Sequence, residues 1–262
     1  MTTKERCLRD LMRSYEKVLV AYSGGVDSSY LALIAKQELG KNAVCVLGVS
    51  PSVSEFQRNE ARSNAKKFSL NLHEIETDEM QDARYAANPT NRCYFCKSEL
   101  YGKLAQFATE SNIVVIVDGT NADDLNDVRP GHAAAKENGV ISPLAEVGLS
   151  KSEIRQLSRE LGIEDWDKPA SPCLSSRIAY GKPVTIGRLS QVERAESFLR
   201  DAGFREFRVR VHDDLARIEL AENESEHFFD RTVMNAVGEE FSRIGFKYVT
   251  YDLHGFRSGS MN

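Results

Sequence analysis

The sequence has no surplus of positive charge. Its 34 lysines and arginines face 39 aspartates and glutamates, so the 262-residue chain has a formal net charge of −5 at pH 7. Proteins that bind long nucleic acids usually carry a basic surplus, so a long nucleic acid is not an expected partner. Basic residues cluster only at 205–210 (REFRVR). That cluster suits a small anionic ligand, although a solvated strand face would have the same composition.

Long hydrophobic runs are also missing. No apolar stretch approaches the length of a membrane span, and the first residues enter an amphipathic helical pattern without a secretory apolar region. We therefore expect no membrane contact and a cytoplasmic location. Apolar residues make up 41% of the chain and charged residues 28%, which is ordinary for a globular protein. The length allows one large domain or two unequal ones.

A glycine-rich loop at 23–28 (SGGVDS) lacks the lysine of the GxxxxGK[ST] phosphate loop. It follows an apolar run at 18–22 that predicts a buried strand, and it precedes a predicted helix. Backbone N–H groups, the positive end of the helix dipole and hydroxyl groups would form an anion pocket there. Glycine lets the backbone approach a phosphate closely. The predicted ligand-binding residues are Ser23, Gly24, Gly25, Asp27 and Ser28.

Strands and helices alternate in the first two-thirds of the chain, which predicts an α/β fold with a doubly wound parallel sheet. Predicted strands cover 18–22, 43–49, 71–76 and 113–117, and predicted helices cover 6–15, 28–39, 54–68, 96–110 and 150–161.

A change of pattern near residue 169 predicts a second, smaller domain. Its predicted order is a helix at 186–202, strands at 206–211 and 215–220, a helix at 225–244 and a strand at 246–252, which indicates an α+β domain. The expected organisation is a nucleotide domain at 1–168, an active-site or hinge segment at 169–184 and the small domain at 185–262. The last five residues are expected to be frayed.

A second loop follows the predicted strand at 113–117. It reads DGTNADD over 118–124, and Gly119 and Thr120 are its candidate ligand-binding residues. The loop should lie near the first one if both strands are central in the sheet. Its carboxylates could hold Mg²⁺, although the same composition is typical of a plain turn.

Five cysteines divide into two groups. Cys7 and Cys45 lie in predicted regular elements and are expected to be buried apolar residues. Cys93 and Cys96 form a CxxC pair, and Cys173 lies in a predicted loop. Three thiolates could hold a [4Fe–4S] cluster with one open iron. A zinc site completed by histidine, a redox pair with a separate nucleophile, and unrelated buried thiols are alternatives, whereas a structural disulfide is not expected in the cytoplasm.

The SGGVDS loop, the CYFC pair at 93–96 and the segment SPCLSSRI at 171–178 together resemble one family. They are similar to the ATP-dependent sulfur transferases of the LarE type, in the PP-loop ATP pyrophosphatase superfamily, which build the nickel-pincer nucleotide cofactor of lactate racemase. The similarity covers nearly the whole chain. It implies a PP-loop (adenine nucleotide alpha hydrolase-like) sheet and adenylylation of pyridinium-3,5-biscarboxylic acid mononucleotide, followed by conversion of its carboxylates to thiocarboxylates.

One branch of this family sacrifices the sulfur of a single cysteine, and another has three cysteines that hold a [4Fe–4S] cluster. With Cys93, Cys96 and Cys173, this chain resembles the three-cysteine branch. The resemblance implies ATP, Mg²⁺ and the cluster as cofactors, sulfide or another sulfur donor as co-substrate, and a homo-oligomer.

The resemblance also implies roles for individual residues. Asp27 would assist ATP and Mg²⁺ binding, and Tyr94 takes the place of an aromatic residue near the nucleophile. Arg208 and Arg210 match the family pair that takes the substrate phosphate, and their spacing suits this role, because residues two apart on a strand share a face. The implied catalytic residues are Cys173, Ser176, Arg177 and Glu196. The implied metal ligands are Cys93, Cys96, Cys173 and Glu219.

Three other functions compete with this interpretation. A tRNA thiolase can combine a PP-loop with three cysteines, but the acidic chain has no recognisable RNA-binding segment. An amide-forming synthetase would need no thiols. A nucleotide-binding or iron–sulfur carrier protein would catalyse no pyrophosphate release.

Overall fold

The computed structural model describes residues 1–126, except for the side chain of Asn126, together with residues 130–168 and 171–257. The chain divides into two compact units. The first contains 1–50, 57–82 and 91–171, and the second contains 51–56, 83–90 and 172–262. The predicted frayed tail at 258–262 and the first two residues of the predicted hinge, 169–170, lie outside the described residues.

A parallel sheet forms the centre of the first unit. The strand order is β3-β2-β1-β4, and each neighbouring pair is parallel. The predicted doubly wound α/β fold is therefore confirmed. The strands are β1 (Val18–Ala21), β2 (Ala43–Val49), β3 (Asn71–Glu76) and β4 (Val115–Val117).

Helices cover both faces of this sheet because the strands are apolar on both faces. Val18 and Val20 point into one hydrophobic cluster, and Leu19 points into another. The first cluster includes residues of α1, α2 and α8, and the second includes residues of α5 and α6. The helices of the chain up to residue 160 are α1 (Thr3–Ser14), α2 (Val26–Leu39), α3 (Glu55–Lys67), α4 (Ala83–Ala86), α5 (Arg92–Glu110), α6 (Pro130–Glu137), α7 (Pro143–Glu146) and α8 (Lys151–Glu160).

The pairing of β1 with β4 brings two loops together. Val20 lies opposite Val117 in this parallel pair, so both strands end at the same edge of the sheet. The loop at 23–28 and the loop at 118–124 follow these ends directly, as predicted. One detail differs, because β4 is an edge strand of the four-stranded sheet and only β1 is central.

The second unit has the predicted α-β-β-α-β order. The strands β5 (Phe207–His212) and β6 (Leu215–Leu220) form an antiparallel hairpin, and β7 (Tyr248–Tyr251) pairs in parallel with β6. The main helices are α9 (Ile186–Asp201) and α11 (Arg231–Ile244). The helix predicted over 225–244 is broken, because Asp230 caps α11 and separates it from the short α10 (Ser225–Phe228).

The two cysteines outside the predicted site have different surroundings. Cys45 is buried in β2, and burial raises the pKa of its thiol to about 12. The prediction that Cys7 is buried is wrong, because Cys7 is exposed. Leu8 and Met12, four residues apart, form the buried face of α1 and turn Cys7 outward. Among the described residues, we find no helix with the length and apolarity needed to cross a membrane.

Candidate functional site

The loop between β1 and α2 is held in shape by its own serines. The hydroxyl of Ser28 donates to Gly25 O at 3.0 Å and accepts from Ser23 N at 3.2 Å. The hydroxyl of Ser29 donates to Gly24 O at 3.2 Å. Gly25 is the N-cap of α2, and no side chain caps the helix. The first N–H groups of α2 are therefore available to an anion.

Two glycines are required here by close packing. Gly24 has a φ of +78°, and a Cβ on it would lie 2.6 Å from the Cβ of Ala61. A Cβ on Gly119, in the second loop, would lie 2.8 Å from Ser28 N. Side chains at these positions would displace the backbone. The structure therefore brings the two predicted loops into direct contact.

Asp27 has one carboxylate oxygen that is hydrogen-bonded and one that has no hydrogen-bond partner. Its Oδ2 accepts from Lys151 Nζ at 2.5 Å, and its buried Oδ1 has no hydrogen-bond partner. Burial raises the pKa of Asp27, and the ammonium of Lys151 opposes this rise. A buried carboxylate oxygen with no protein partner is a suitable ligand for Mg²⁺, a hard cation that prefers oxygen.

The second loop is organised around Asp118. This buried carboxylate accepts hydrogen bonds from the hydroxyls of Tyr101 at 2.9 Å, Thr120 at 3.0 Å and Ser142 at 2.8 Å. It also accepts from the backbone N–H of Thr120 at 3.1 Å. These bonds fix Gly119 and Thr120 beside the first loop.

A cavity of about 440 Å³ opens at these two loops. Its lining includes Cys93, Asp118 and seven other residues of the two predicted loops. Those seven are Ser23, Gly25, Asp27, Ser28, Gly119, Thr120 and Asp124. The CxxC pair therefore reaches the predicted nucleotide pocket through its first cysteine.

Sequence reasoning missed several residues of this cavity. Lys97, Tyr101 and His132 line it, and Lys151 bonds to Asp27. Cys93, Lys97 and Tyr101 are spaced four residues apart on α5, so they share one face of the helix. That spacing was a usable signal for Lys97 and Tyr101. His132 lies in α6, a helix that the sequence pattern did not predict.

The cysteines offer a partial fit to a metal cluster. Cys93 and Cys96 lie three residues apart in the first turns of α5, so their thiols share a helix face. Cys173 belongs to the second unit. None of the three thiols is fully buried. Over the residues that the structure describes, no three histidine, cysteine, aspartate or glutamate side chains are grouped as a metal site.

In the second unit, Cys173 caps a 3₁₀ turn, Leu174–Arg177. Its carbonyl oxygen accepts from the hydroxyl of Ser176 at 2.8 Å and from Arg177 Nη1 at 3.2 Å. The turn holds three of the predicted catalytic residues together: Cys173, Ser176 and Arg177.

Arg177 is buried, and its guanidinium is satisfied by the protein itself. It donates to Glu196 Oε1 at 2.8 Å and Oε2 at 3.2 Å, and to Pro172 O at 2.7 Å. Glu196 is also buried, and it accepts from Val209 N at 3.2 Å. Desolvation raises the pKa of Glu196, but the charges of Arg177 and Arg208 and the hydrogen bonds from Arg177 and Val209 together hold it below its usual value. This pair ties the turn to α9 and β5.

Glu219 has both oxygens bonded to arginines. Arg210 Nε donates to Oε2 at 3.1 Å, and Arg217 Nη2 donates to Oε1 at 2.9 Å. Arg210 also donates to Ser176 O at 2.8 Å. The predicted residues Ser176, Arg210 and Glu219 are therefore one hydrogen-bonded group.

Arg208 lies on the same face of β5 as Arg210, as its spacing predicted. Its guanidinium stacks 4.7 Å from the ring centre of Phe256 and donates to Phe207 O at 2.7 Å. Burial, followed by the charge of Arg177, lowers the pKa of Arg208 to about 10. A bound anion would relieve this unfavourable accumulation of positive charge.

Comparison with known proteins distinguishes the first 166 residues from the rest of the chain. The NAD synthase family model matches residues 3–166. The glutamine-hydrolyzing GMP synthase of Thermotoga maritima is 26% identical over 57% of this chain and 33% of its own length.

Two relatives match the chain from end to end. An uncharacterized protein of Synechocystis sp. is 44% identical and covers 100% of this chain and 98% of its own length. The pyridinium-3,5-bisthiocarboxylic acid mononucleotide synthase of Lactiplantibacillus plantarum is 36% identical over 100% of this chain and 95% of its own length. With a PP-loop sheet in its first unit and this similarity continuing through its second, the chain belongs to the LarE-type sulfur transferase family of the PP-loop superfamily.

Proposed function

We propose that this protein is an ATP-dependent sulfur transferase that converts the carboxylates of pyridinium-3,5-biscarboxylic acid mononucleotide to thiocarboxylates. One observation carries the proposal. The similarity to the L. plantarum synthase continues through the second unit, whereas the NAD synthase model ends at residue 166. In a PP-loop enzyme the chemistry beyond adenylylation depends on the acceptor substrate, so the second unit carries the information about that substrate.

The first unit would activate the carboxylate. A substrate carboxylate oxygen attacks the α-phosphorus of ATP, and pyrophosphate leaves. The uncapped N–H groups of α2 and the pocket-lining residues Gly25 and Gly119 suit the charge that develops on the phosphates. Asp27 Oδ1 would bind Mg²⁺, and Lys151 would hold the other oxygen in place. The product is an acyl adenylate with AMP as a good leaving group.

The second unit would hold the mononucleotide. Arg208 and Arg210 share a strand face, and the lowered pKa of Arg208 reflects positive charge that a phosphate would neutralise. Arg177 and Glu196 satisfy each other, which favours a positioning role for them around Cys173 and Ser176. A sulfur nucleophile then attacks the acyl carbon, and AMP leaves.

We further propose that Cys93, Cys96 and Cys173 ligate a [4Fe–4S] cluster. The chemistry of the donor set fits, because thiolates are the usual ligands of such clusters, none of the three cysteines is fully buried, and two of them share a helix face. When bound, a cluster with three cysteine ligands supplies an open iron that can hold a sulfide.

A second function is favoured by the family model itself. NAD and GMP synthases are amide-forming, and the matched region covers the whole nucleotide sheet. An amide-forming enzyme would use ammonia in place of sulfur and would have no need of the three cysteines.

The test begins with protein purified without oxygen and reconstituted with iron and sulfide. We expect about four irons per chain in the wild type and loss of iron in Cys93→Ala. Cys7→Ala is the matched control, because Cys7 is an exposed free cysteine on α1 and should leave the iron content unchanged. Equal iron in all three proteins would contradict the cluster and leave Cys173 as a sacrificial sulfur donor.

Activity is then measured with ATP and the biscarboxylic mononucleotide. Pyrophosphate release is followed by a coupled assay and the thiocarboxylate by mass spectrometry. Cys173→Ala should abolish the thiocarboxylate and retain pyrophosphate release, since activation takes place in the first unit. Full amide formation from ammonia by a variant with all three cysteines changed to serine would favour the amide-forming alternative and overturn the proposal.

A further inference from the structure

A second cavity in the first unit has no part in the proposed reaction. Its volume is about 520 Å³, and its lining includes Lys151, Arg155 and Arg159 of α8, together with Trp166 and Asp123. Apart from Asp123, which belongs to the second loop, none of the residues predicted for nucleotide binding lines it.

The three cations occupy one face of α8, because they are spaced four residues apart. Like charges at this spacing destabilise a helix, so the arrangement carries a cost. Lys151 is already bonded within the protein, since its Nζ bonds to Asp27 and its backbone N–H donates to Asp123 Oδ2 at 2.8 Å. The charge that remains for a ligand belongs to Arg155 and Arg159.

Neither of these arginines forms an ion pair with a carboxylate in the described ranges of the chain. Arg155 Nη2 donates to Lys168 O at 3.2 Å, but its Nε is buried without an acceptor. A buried N–H without an acceptor is unfavourable, and an acceptor supplied by a ligand would remove that cost.

Arg159 is oriented by an aromatic ring. Its guanidinium carbon lies 5.2 Å from the ring centre of Trp166, within the range of a cation–π contact. The Cα atoms of Arg155 and Arg159 are separated by about 6 Å along the helix axis. Two guanidinium groups at this spacing match an anion with two linked tetrahedral centres, and guanidinium binds phosphate oxygens in pairs.

We propose that this cavity is a second anion site that binds a pyrophosphate group through Arg155 and Arg159. The site is distinct from the loop pocket, and it stands whether or not the sulfur-transfer reaction is correct.

The chain provides its own probe, because Trp166 is its single tryptophan. The experiment is a titration of intrinsic fluorescence with inorganic pyrophosphate at constant ionic strength. We expect a saturable change in the wild type. Arg155→Gln and Arg159→Gln should each raise the Kd by about tenfold or more, which is at least about 1.4 kcal/mol. Arg6→Gln, which removes an exposed arginine from α1, should leave the Kd unchanged.

A loop variant separates the two sites. Ser28→Ala alters the loop pocket and should leave the fluorescence titration intact. If Ser28→Ala removes the response while both arginine variants keep it, pyrophosphate binds at the loop and the proposal is wrong. A response that does not saturate also overturns it. ADP distinguishes the source, because binding of ADP with similar affinity assigns the site to a nucleotide diphosphate, and binding of pyrophosphate alone assigns it to the free anion.

Discussion

The candidate anion sites of the two units are formed by different chemical groups. In the first unit, the site is mostly backbone: glycines, the uncapped start of α2 and a second loop pressed against Ser28. In the second unit, the site is made of buried side chains, in which Arg177, Arg208 and Arg210 are balanced by Glu196 and Glu219.

The difference lies in what each site cannot tolerate. A backbone site has a fixed, small charge, and it fails when an added atom closes the space around it. A side-chain site fails when a charge is removed, because the remaining partner stays buried without compensation. The two sites can therefore be distinguished by opposite kinds of substitution.

The largest effect is expected from removal of a buried charge. Glu219→Ala leaves Arg210 and Arg217 without their shared carboxylate and should lower the free energy of unfolding by about 3–5 kcal/mol. Urea denaturation measures this change. Glu240→Ala, which removes one of the two carboxylate partners of the exposed Arg243, should cost at most about 1 kcal/mol. Equal losses in the two variants would mean that the buried network contributes no more than a surface pair.

The second-largest effect is expected from an added methyl group. Gly24→Ala forces a side chain onto a φ of +78° and into Ala61, so we expect a loss of about 1–3 kcal/mol in unfolding free energy. Gly25→Ala is the matched control, because its new Cβ meets only Ser23 Oγ, at 3.5 Å, and the φ is −69°. That change should cost less than about 1 kcal/mol. If the two alanine variants are equally stable, the first site does not depend on close backbone packing.

The smallest effect is expected from a side chain at the backbone site. Tyr101→Phe removes one of the hydrogen bonds to Asp118, which keeps those from Thr120 and Ser142, so the loss should be about 1 kcal/mol. Tyr248→Phe, at an exposed tyrosine, should have no measurable effect. A loss as large as that of Glu219→Ala would show that the first site also depends on its side chains.

This contrast also explains how much the sequence could predict. The loop at 23–28 is local, so its residues, its strand and its helix can be recognised in one stretch of sequence. The parallel sheet and the order of the small domain follow from hydrophobic patterns in the same way. Strands 43–49, 71–76 and 215–220 were predicted at their observed bounds.

The parts that were missed depend on distant partners or on short elements. The bond between Lys151 and Asp27 joins residues 124 positions apart, and no local pattern signals it. The short helices α4, α6 and α7 contain too few turns for a periodicity to stand out. Cys7 is exposed because another face of α1 packs against the core. The sequence pattern alone did not show on which face of the helix a small residue such as cysteine would lie.

Lys151 stands between two cavities of the first unit, since its side chain holds Asp27 at the loop pocket and also lines the cavity of Arg155 and Trp166. A ligand that changes this contact from one side changes the free energy of binding on the other. Thermodynamic linkage then requires reciprocity: if occupancy of the loop pocket alters the affinity of the second cavity by some factor, occupancy of the second cavity alters that of the loop pocket by the same factor.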